Sequence, residues 1–419
     1  MRQLAALIVI ALFFVTAGCG GGGGSDSVSG STSYSVQGAV NNLLIVVEDD
    51  VSEGITPALD AYTASLNGEG IGTQSMVWQS GTAAELRAAI KNYHEATPFG
   101  SVLFLGDLPA AWYEQTADFG SSGSFFEQFP CDIFFMSLYS TWSDANHNGA
   151  YDSHSALQVD LPLSRVTGDS ETISTYLNKV VDYRENGSFL PQGAFIFKDD
   201  DWENYRKSND FRLYDIYRSL TIYESAASTT RAGYSGYMSA VGTEFIYQWI
   251  HSSPGTLFFE VDGSYELMSY TDVKAANVRG SFFNLYDCSA ARFTEANLGS
   301  TYLHSDFGLA VFGTTKTGGV YEPYYFHRTL ATGKTWGESF ATWYNSAGRH
   351  DDNWYLGMSM QGCPFLRVAG ATAKALTADM PPEAPAAIDM TILQENAIKS
   401  ADDGQSSFAA YKANHKHYL

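Results

Sequence analysis

The chain reads as an α/β protein with a mostly parallel sheet flanked by helices and divided into two α/β halves. Two observations predict this. Short, continuous apolar runs, the mark of strands buried on both faces, recur along the chain. Segments with helical spacing alternate with them, as in folds built on a parallel sheet.

The first run is Asn42-Leu-Leu-Ile-Val-Val-Glu48. Residues 55–68 then place Leu59, Tyr62 and Leu66 on one helical face and end at a glycine, a common helix stop. Met76-Val-Trp78 is a second strand, 83–94 a second helix (Leu86, Ile90, Tyr93), and Ser101-Val-Leu-Phe-Leu-Gly106 a third strand. A loop-rich insertion, 129–160, interrupts the rhythm. Asp160-Leu-Pro-Leu-Ser-Arg-Val166 returns to the core, and 171–184 is a helix. Ala194-Phe-Ile-Phe-Lys198 opens the second half. There 243–250 is expected to be a helix leading into a buried strand at Leu257. Phe282–Tyr286 and Gly308–Phe312 continue the sheet, and 336–345 is a further helix. The halves are bounded at 41–190 and 191–370. Residues 371–419, Ala- and Pro-rich at their start, are expected to form a peripheral extension with a helix near Ile392.

The N-terminus is a processing signal rather than fold. Arg2 supplies positive charge, and Leu4–Val15 is too short for a stable span. Thr16-Ala-Gly-Cys19 resembles a bacterial lipobox, which implies a signal peptide over 1–18 and lipidation of Cys19. The Gly/Ser-rich stretch that follows, within 19–40, has the composition of a flexible tether. The expected location is the bacterial cell envelope, lipid-anchored to the outer membrane and outside the cytoplasm. A formal charge of −22 (24 Lys+Arg against 46 Asp+Glu) argues against nucleic acid as a partner. Beyond Cys19 the cysteines are Cys131, Cys288 and Cys363; no spacing suits zinc, and Cys131 and Cys363 read as packed thiols in preference to a disulfide.

Asp144-Ala-Asn-His-Asn-Gly-Ala-Tyr-Asp152 has the pattern of the start of a calcium loop. Asp144, Asn146 and Asn148 offer side-chain oxygens, Ala150 its carbonyl and Asp152 a carboxylate, while Gly149 permits the bend. Ser155 stands where a bidentate Glu would complete the set, so a weak structural Ca2+ site is expected. An Asn/Gly-rich turn without metal is the alternative. Lys198-Asp-Asp-Asp201 reads as a solvated strand-end loop, with selection of basic side chains in a cleft as the alternative.

Several segments together resemble the gingipain-type cysteine peptidases, a caspase-like family. They are Val102–Pro109, Phe129–Phe135, Asp160–Arg165 (with Ser164 for a family Gly), Asp287-Cys-Ser-Ala-Ala-Arg-Phe293, Gly333–Phe340 and Gln361–Arg367 (with Cys363 for a family Asp). The resemblance covers roughly 42–370. It implies a caspase-like fold, peptide-bond hydrolysis and Cys288 as nucleophile, with a peptide or protein as partner. It also implies a His-Gly pair closing the preceding strand. Asp262-Gly263 is expected at that place, with Gly263 in the oxyanion region. A carboxylate is a poor base for a thiol and cannot protonate a leaving amine as imidazole does. Among other histidines, His251 and His304 are expected at the wrong end of the sheet, and His327 is the more plausible substitute. Two readings therefore stand: a cysteine peptidase, or an inactive pseudo-peptidase acting as a surface binding or assembly lipoprotein.

Overall fold

The computed structural model describes residues 41–118, 123–202, 205, 211–319, 323–346, 353–371 and 402–418. Cys19, the signal and tether segments through residue 40, and Ile392 lie outside the described residues. Among the described residues, no helix is long and apolar enough to cross a membrane.

The first half follows the expected rhythm. Strand β1 (Asn42–Glu48) leads into α1 (Asp49–Gly68), then β2 (Gly72–Trp78), α2 (Ala83–Ala96) and β3 (Ser101–Leu105). Leu43–Val47 and Val102–Leu105 are buried on both faces, as their unbroken apolar runs require. Helix α2 starts at a capping box in which Thr82 and Glu85 satisfy each other's backbone amides. The stretch from residue 112 through the expected loop-rich insertion at 129–160 is more ordered than its composition suggests. Strand β4 (Trp112–Asp118) pairs antiparallel with β5 (Ser124–Pro130), and a short helix α3 (Ile133–Met136) follows. Three two-residue strands come next: β6 (Trp142–Ser143), β7 (Ala150–Tyr151) and β8 (Ser153–His154). The chain then re-enters the sheet at β9 (Leu163–Val166) and continues into α4 (Ser170–Asn186), capped by Asp169.

The second half runs through β10 (Ala194–Lys198), β11 (Leu220–Tyr223), α5 (Arg231–Ala240) and β12 (Thr243–Trp249). A small antiparallel sheet of β13 (His251–Ser253), β14 (Thr256–Val261) and β15 (Ser264–Ser269) follows. Then come α6 (Tyr270–Ala276), β16 (Gly280–Tyr286), α7 (Leu298–Leu303), β17 (Ala310–Thr314), α8 (Tyr324–Ala331), α9 (Trp336–Ser346), β18 (Met358–Gly362) and, after a gap in the described residues, α10 (Gln405–Asn414).

The central sheet has ten strands in the order β11-β10-β12-β16-β17-β18-β9-β3-β1-β2. Every pairing in it is parallel except β17–β18. The five strands on each side of that junction are parallel to one another and opposed to the other five. The fold is therefore α/β with a large, mostly parallel central sheet flanked by helices, and its two halves point their strand ends in opposite directions.

Two expectations are corrected here. Residues 243–249 form a strand in the middle of the sheet rather than a helix; all seven are buried. The segment around Leu257 belongs to the small sheet, and its iBiBii burial alternation is that of a strand with one solvated face. The C-terminal region is also less peripheral than expected. Phe408 and Tyr411 of α10 pack into a core with Ala110, Trp112, Ala150 and Phe293.

Candidate active site

The exchange of helix for strand at 243–249 moves His251. Strand β12 pairs in parallel with β16, with Trp249 opposite Tyr286, and those two rings stack at 4.2 Å, so they share a face of the sheet. His251 and Cys288 each lie two residues beyond that pair, past the ends of β12 and β16. Adjacent strands are about 4.8 Å apart. The histidine expected at the far end thus lies at the same, carboxyl end of the sheet as the cysteine. Ser252 Oγ donates to the Cys288 carbonyl at 2.7 Å, tying the two strand ends together.

A carboxylate completes the group. Asp201, from the loop after β10, lies 2.7 Å from His251 Nε2. Trp202 packs on the imidazole with ring centroids 4.4 Å apart, and also touches Trp249 and Tyr286. The His251 side chain is 1% exposed and that of Asp201 12%, so this contact is shielded from water. β11 and β12 flank β10 on opposite sides, so the chain reverses its direction of travel across the sheet there. The crevice at the carboxyl ends on either side of such a reversal is where open α/β sheets hold their ligands. Asp201 and His251 occupy it.

The thiol is set in a tight turn. Cys288 is 5% exposed, and its Sγ accepts a hydrogen bond from the Gly318 amide at 3.4 Å. Gly319 lies so close to the end of β16 that an added Cβ would sit 2.7 Å from the Tyr286 Cα, so only glycine lets this loop approach. The loop is braced by a buried ion pair: Lys316 Nζ lies 2.9 Å from Glu127 Oε1, both side chains 1% exposed, and Glu127 also accepts from the Thr317 amide. Asp287, next to Cys288, accepts from the Gln248 side chain and the Ile250 amide. Burial pushes its carboxyl well above the usual carboxylate range, and the two hydrogen bonds it accepts act in the opposite sense.

The residues singled out in the sequence scatter otherwise. Asp262-Gly263 is the exposed two-residue turn between β14 and β15, with φ of 51° and 78°, not the end of a central strand. Neither Asp262 at the histidine place nor Gly263 in the oxyanion region holds. His327 is fully buried in α8, between the Phe211 carbonyl (2.7 Å) and Asn284 (3.1 Å) in the middle of β16. Burial lowers its pKa to about 3, which makes it a neutral core residue. His304 bonds to the Thr167 carbonyl and lines a cavity of about 680 Å³ with Tyr176, Lys179 and Ser300; Cys288, His251 and Asp201 do not line it.

The three aspartates after Lys198 have separate places. Asp199 is buried, with its pKa raised to about 9 chiefly by desolvation. Asp200 faces Thr229, and Asp201 holds His251. Cys131, Cys288 and Cys363 are all buried, and no disulfide joins them. Asp132 and Arg165, from two of the segments that carry the family resemblance, form a buried ion pair at 2.7 Å, with Ser359 bonded to the same carboxylate. Those segments thus fix the scaffold.

The 144–152 loop closes on itself. Asp144 accepts from the amides of Asn148 and Gly149, Asn146 from that of Asn148, Asn148 from that of Ala150, and Asp152 from that of Ala145. Gly149 has φ of 95°. Glu114 of β4 reaches the side-chain amides of Asn146 and Asn148, a carboxylate the local sequence does not contain. Among the described residues, no group of three or more His, Cys, Asp or Glu side chains is placed to hold a metal ion.

No protein-family model matches the chain, and no curated protein matches it.

Proposed function

We propose that the chain is a cysteine peptidase of the gingipain-like, caspase-like kind, lipid-anchored through Cys19 in a bacterial envelope. Cys288 is the nucleophile, His251 the general base and acid, and Asp201 the group that orients the imidazole. The observation that carries this reading is the equal offset of His251 and Cys288 beyond the registered pair Trp249–Tyr286, with Asp201 at 2.7 Å from the ring. A Nε2–H donated to Asp201 leaves the Nδ1 lone pair for proton transfer, the division of labour of a nucleophile, base and orienting acid.

The chemistry balances as follows. Cys288 Sγ gives its proton to His251 and attacks the peptide carbonyl carbon. The C–N bond breaks as His251 returns the proton to the departing amine. Water, deprotonated by His251, then attacks the thioester; the C–S bond breaks, a carboxylic acid leaves and the thiol is restored.

Hydrolysis of a broad peptide library by the soluble chain starting near Ser25, with reductant and calcium, tests the proposal against Cys288→Ala and His251→Ala. Activity abolished in both variants supports it. A second reading, a binding lipoprotein without turnover, draws on the low exposure of Cys288. Absence of hydrolysis, with Cys288 alkylated no faster at pH 6 in the native chain than in His251→Ala, would favour that reading.

A further inference from the structure

We infer that Arg292 is a positioning residue for Cys288, and that the C-terminal arm Asp402–Tyr418 holds it in that role; the inference rests on the peptidase reading above.

The turn that carries the thiol has one unusual backbone position. Ser289 has φ of 58°, a left-handed conformation that serine adopts only when its surroundings impose it. Two contacts impose it. The Ser289 amide donates to the Lys316 carbonyl at 2.8 Å. The Ser289 hydroxyl accepts from Arg292 Nη2 at 2.9 Å, while Arg292 Nε donates to the Thr315 carbonyl at 2.9 Å. The guanidinium therefore bridges the nucleophile turn and the β17 loop whose Gly318 amide meets Sγ.

Arg292 is fully buried, and a buried cation persists only where anions and acceptors surround it. The arm provides three of them, including the nearest anion. Asp402 Oδ1 lies 3.2 Å from Nη1, the Asp402 carbonyl accepts from Nη2 at 3.5 Å, and Ser407 Oγ lies 3.4 Å from Nη1. Glu295, at 3.6 Å, is a second anion, from the same turn. The arm is seated firmly enough for this task. Phe408 packs on Trp112 with ring centroids 4.8 Å apart, Tyr411 Oη accepts from the Ala110 amide at 2.8 Å, and the Asp403 carbonyl accepts from the Gln128 amide at 2.7 Å. Gly404, with φ of 69°, passes so close to the Gln128 carbonyl that any side chain there would collide with it. With Asp402 neutralised, the guanidinium loses its nearest anion, and the hold on Ser289 loosens. Displacement of a reacting group by about 1 Å costs on the order of a hundredfold in rate.

The test uses the full soluble chain and two variants, Arg292→Lys and Asp402→Asn. Measured are kcat and KM for peptide hydrolysis, the rate of Cys288 alkylation by iodoacetamide at pH 6 read by peptide mass spectrometry, and Tm. The expected result is a kcat lower by about 10- to 100-fold with KM within about twofold, and slower alkylation in parallel, because the displaced group is the nucleophile and not the substrate site. Should Arg292→Lys fail to fold, Asp402→Asn decides the matter alone, since its side chain is 43% exposed. Native kcat and alkylation in a folded Asp402→Asn chain would overturn the inference while leaving the peptidase reading intact, provided native alkylation still depends on His251. Alkylation indifferent to His251→Ala would overturn both.

Discussion

Replacing Asp201 by Asn tests the site at its shortest link. The substitution keeps the shape of the side chain, and Trp202 still packs on the His251 ring, so the imidazole is expected to stay in place. What changes is the 2.7 Å contact. An ionised acceptor for Nε2–H becomes an amide that either donates or accepts, and the tautomer with its lone pair on Nδ1 is no longer enforced. Hydrogen bonds to charged groups contribute about 1.5–3 kcal/mol, and the low exposure of both partners places this bond in the upper part of that range. Expressed in the transition state, that upper part is a loss of about 40- to 150-fold in kcat/KM. The assay is steady-state hydrolysis of the best library peptide from pH 5 to 9, with Cys288 alkylation at pH 6 as a readout independent of turnover. An Asp201→Asn chain within twofold of the parent, alongside an inactive His251→Ala chain, would refute the role given to Asp201.

Three further outcomes are expected. Glu127→Gln leaves Lys316 buried without its anion and should cost about 3–5 kcal/mol in denaturant unfolding; a change under 1 kcal/mol would show that the pair does not brace the loop. His327 is neutral in the fold, with its pKa near 3, so between about pH 6.5 and 3 the unfolded chain binds the extra proton and stability falls as pH falls. His304, lowered to about 4, acts in the same sense. His327→Gln should therefore flatten the dependence of unfolding free energy on pH between 4 and 6, and an unchanged slope would count against its buried neutral state. Millimolar calcium should raise Tm by a few degrees through the 144–152 loop, and Glu114→Gln should weaken that response; no shift in Tm and no heat in calorimetry would count against a calcium site in this loop.

The first half was legible because its strands are unbroken apolar runs, such as Leu43–Val47, separated by helices with one apolar face. The second half misled at one point. Thr243-Glu-Phe-Ile-Tyr-Gln-Trp249 contains two polar residues that mimic helical spacing, yet both are buried in the sheet: Gln248 bonds to Asp287, and Glu244 to Tyr183 and the amides of Ala369 and Gly370. A run rich in aromatic and β-branched residues, closed by Pro254-Gly255, favours a strand. Asp-Gly between alternating segments is also a strong hairpin signal, and it marks 262–263 as a turn rather than a sheet end. Those two local signals together would have put His251 at the same end of the sheet as Cys288. Asp201 and Glu114 were beyond reach of spacing arguments, because only the pairing of distant strands brings them to His251 and to Asn146.

The β17–β18 junction also bears on how the molecule folds. β18 lies near residue 360, yet it is the strand through which β9, and behind it β3, β1 and β2, join the other five. The early half therefore gains its last strand only after the late half has been made. Such long-range closure raises contact order and slows the search for the native state. It should also make the two halves unfold as one cooperative transition rather than as two domains melting in turn.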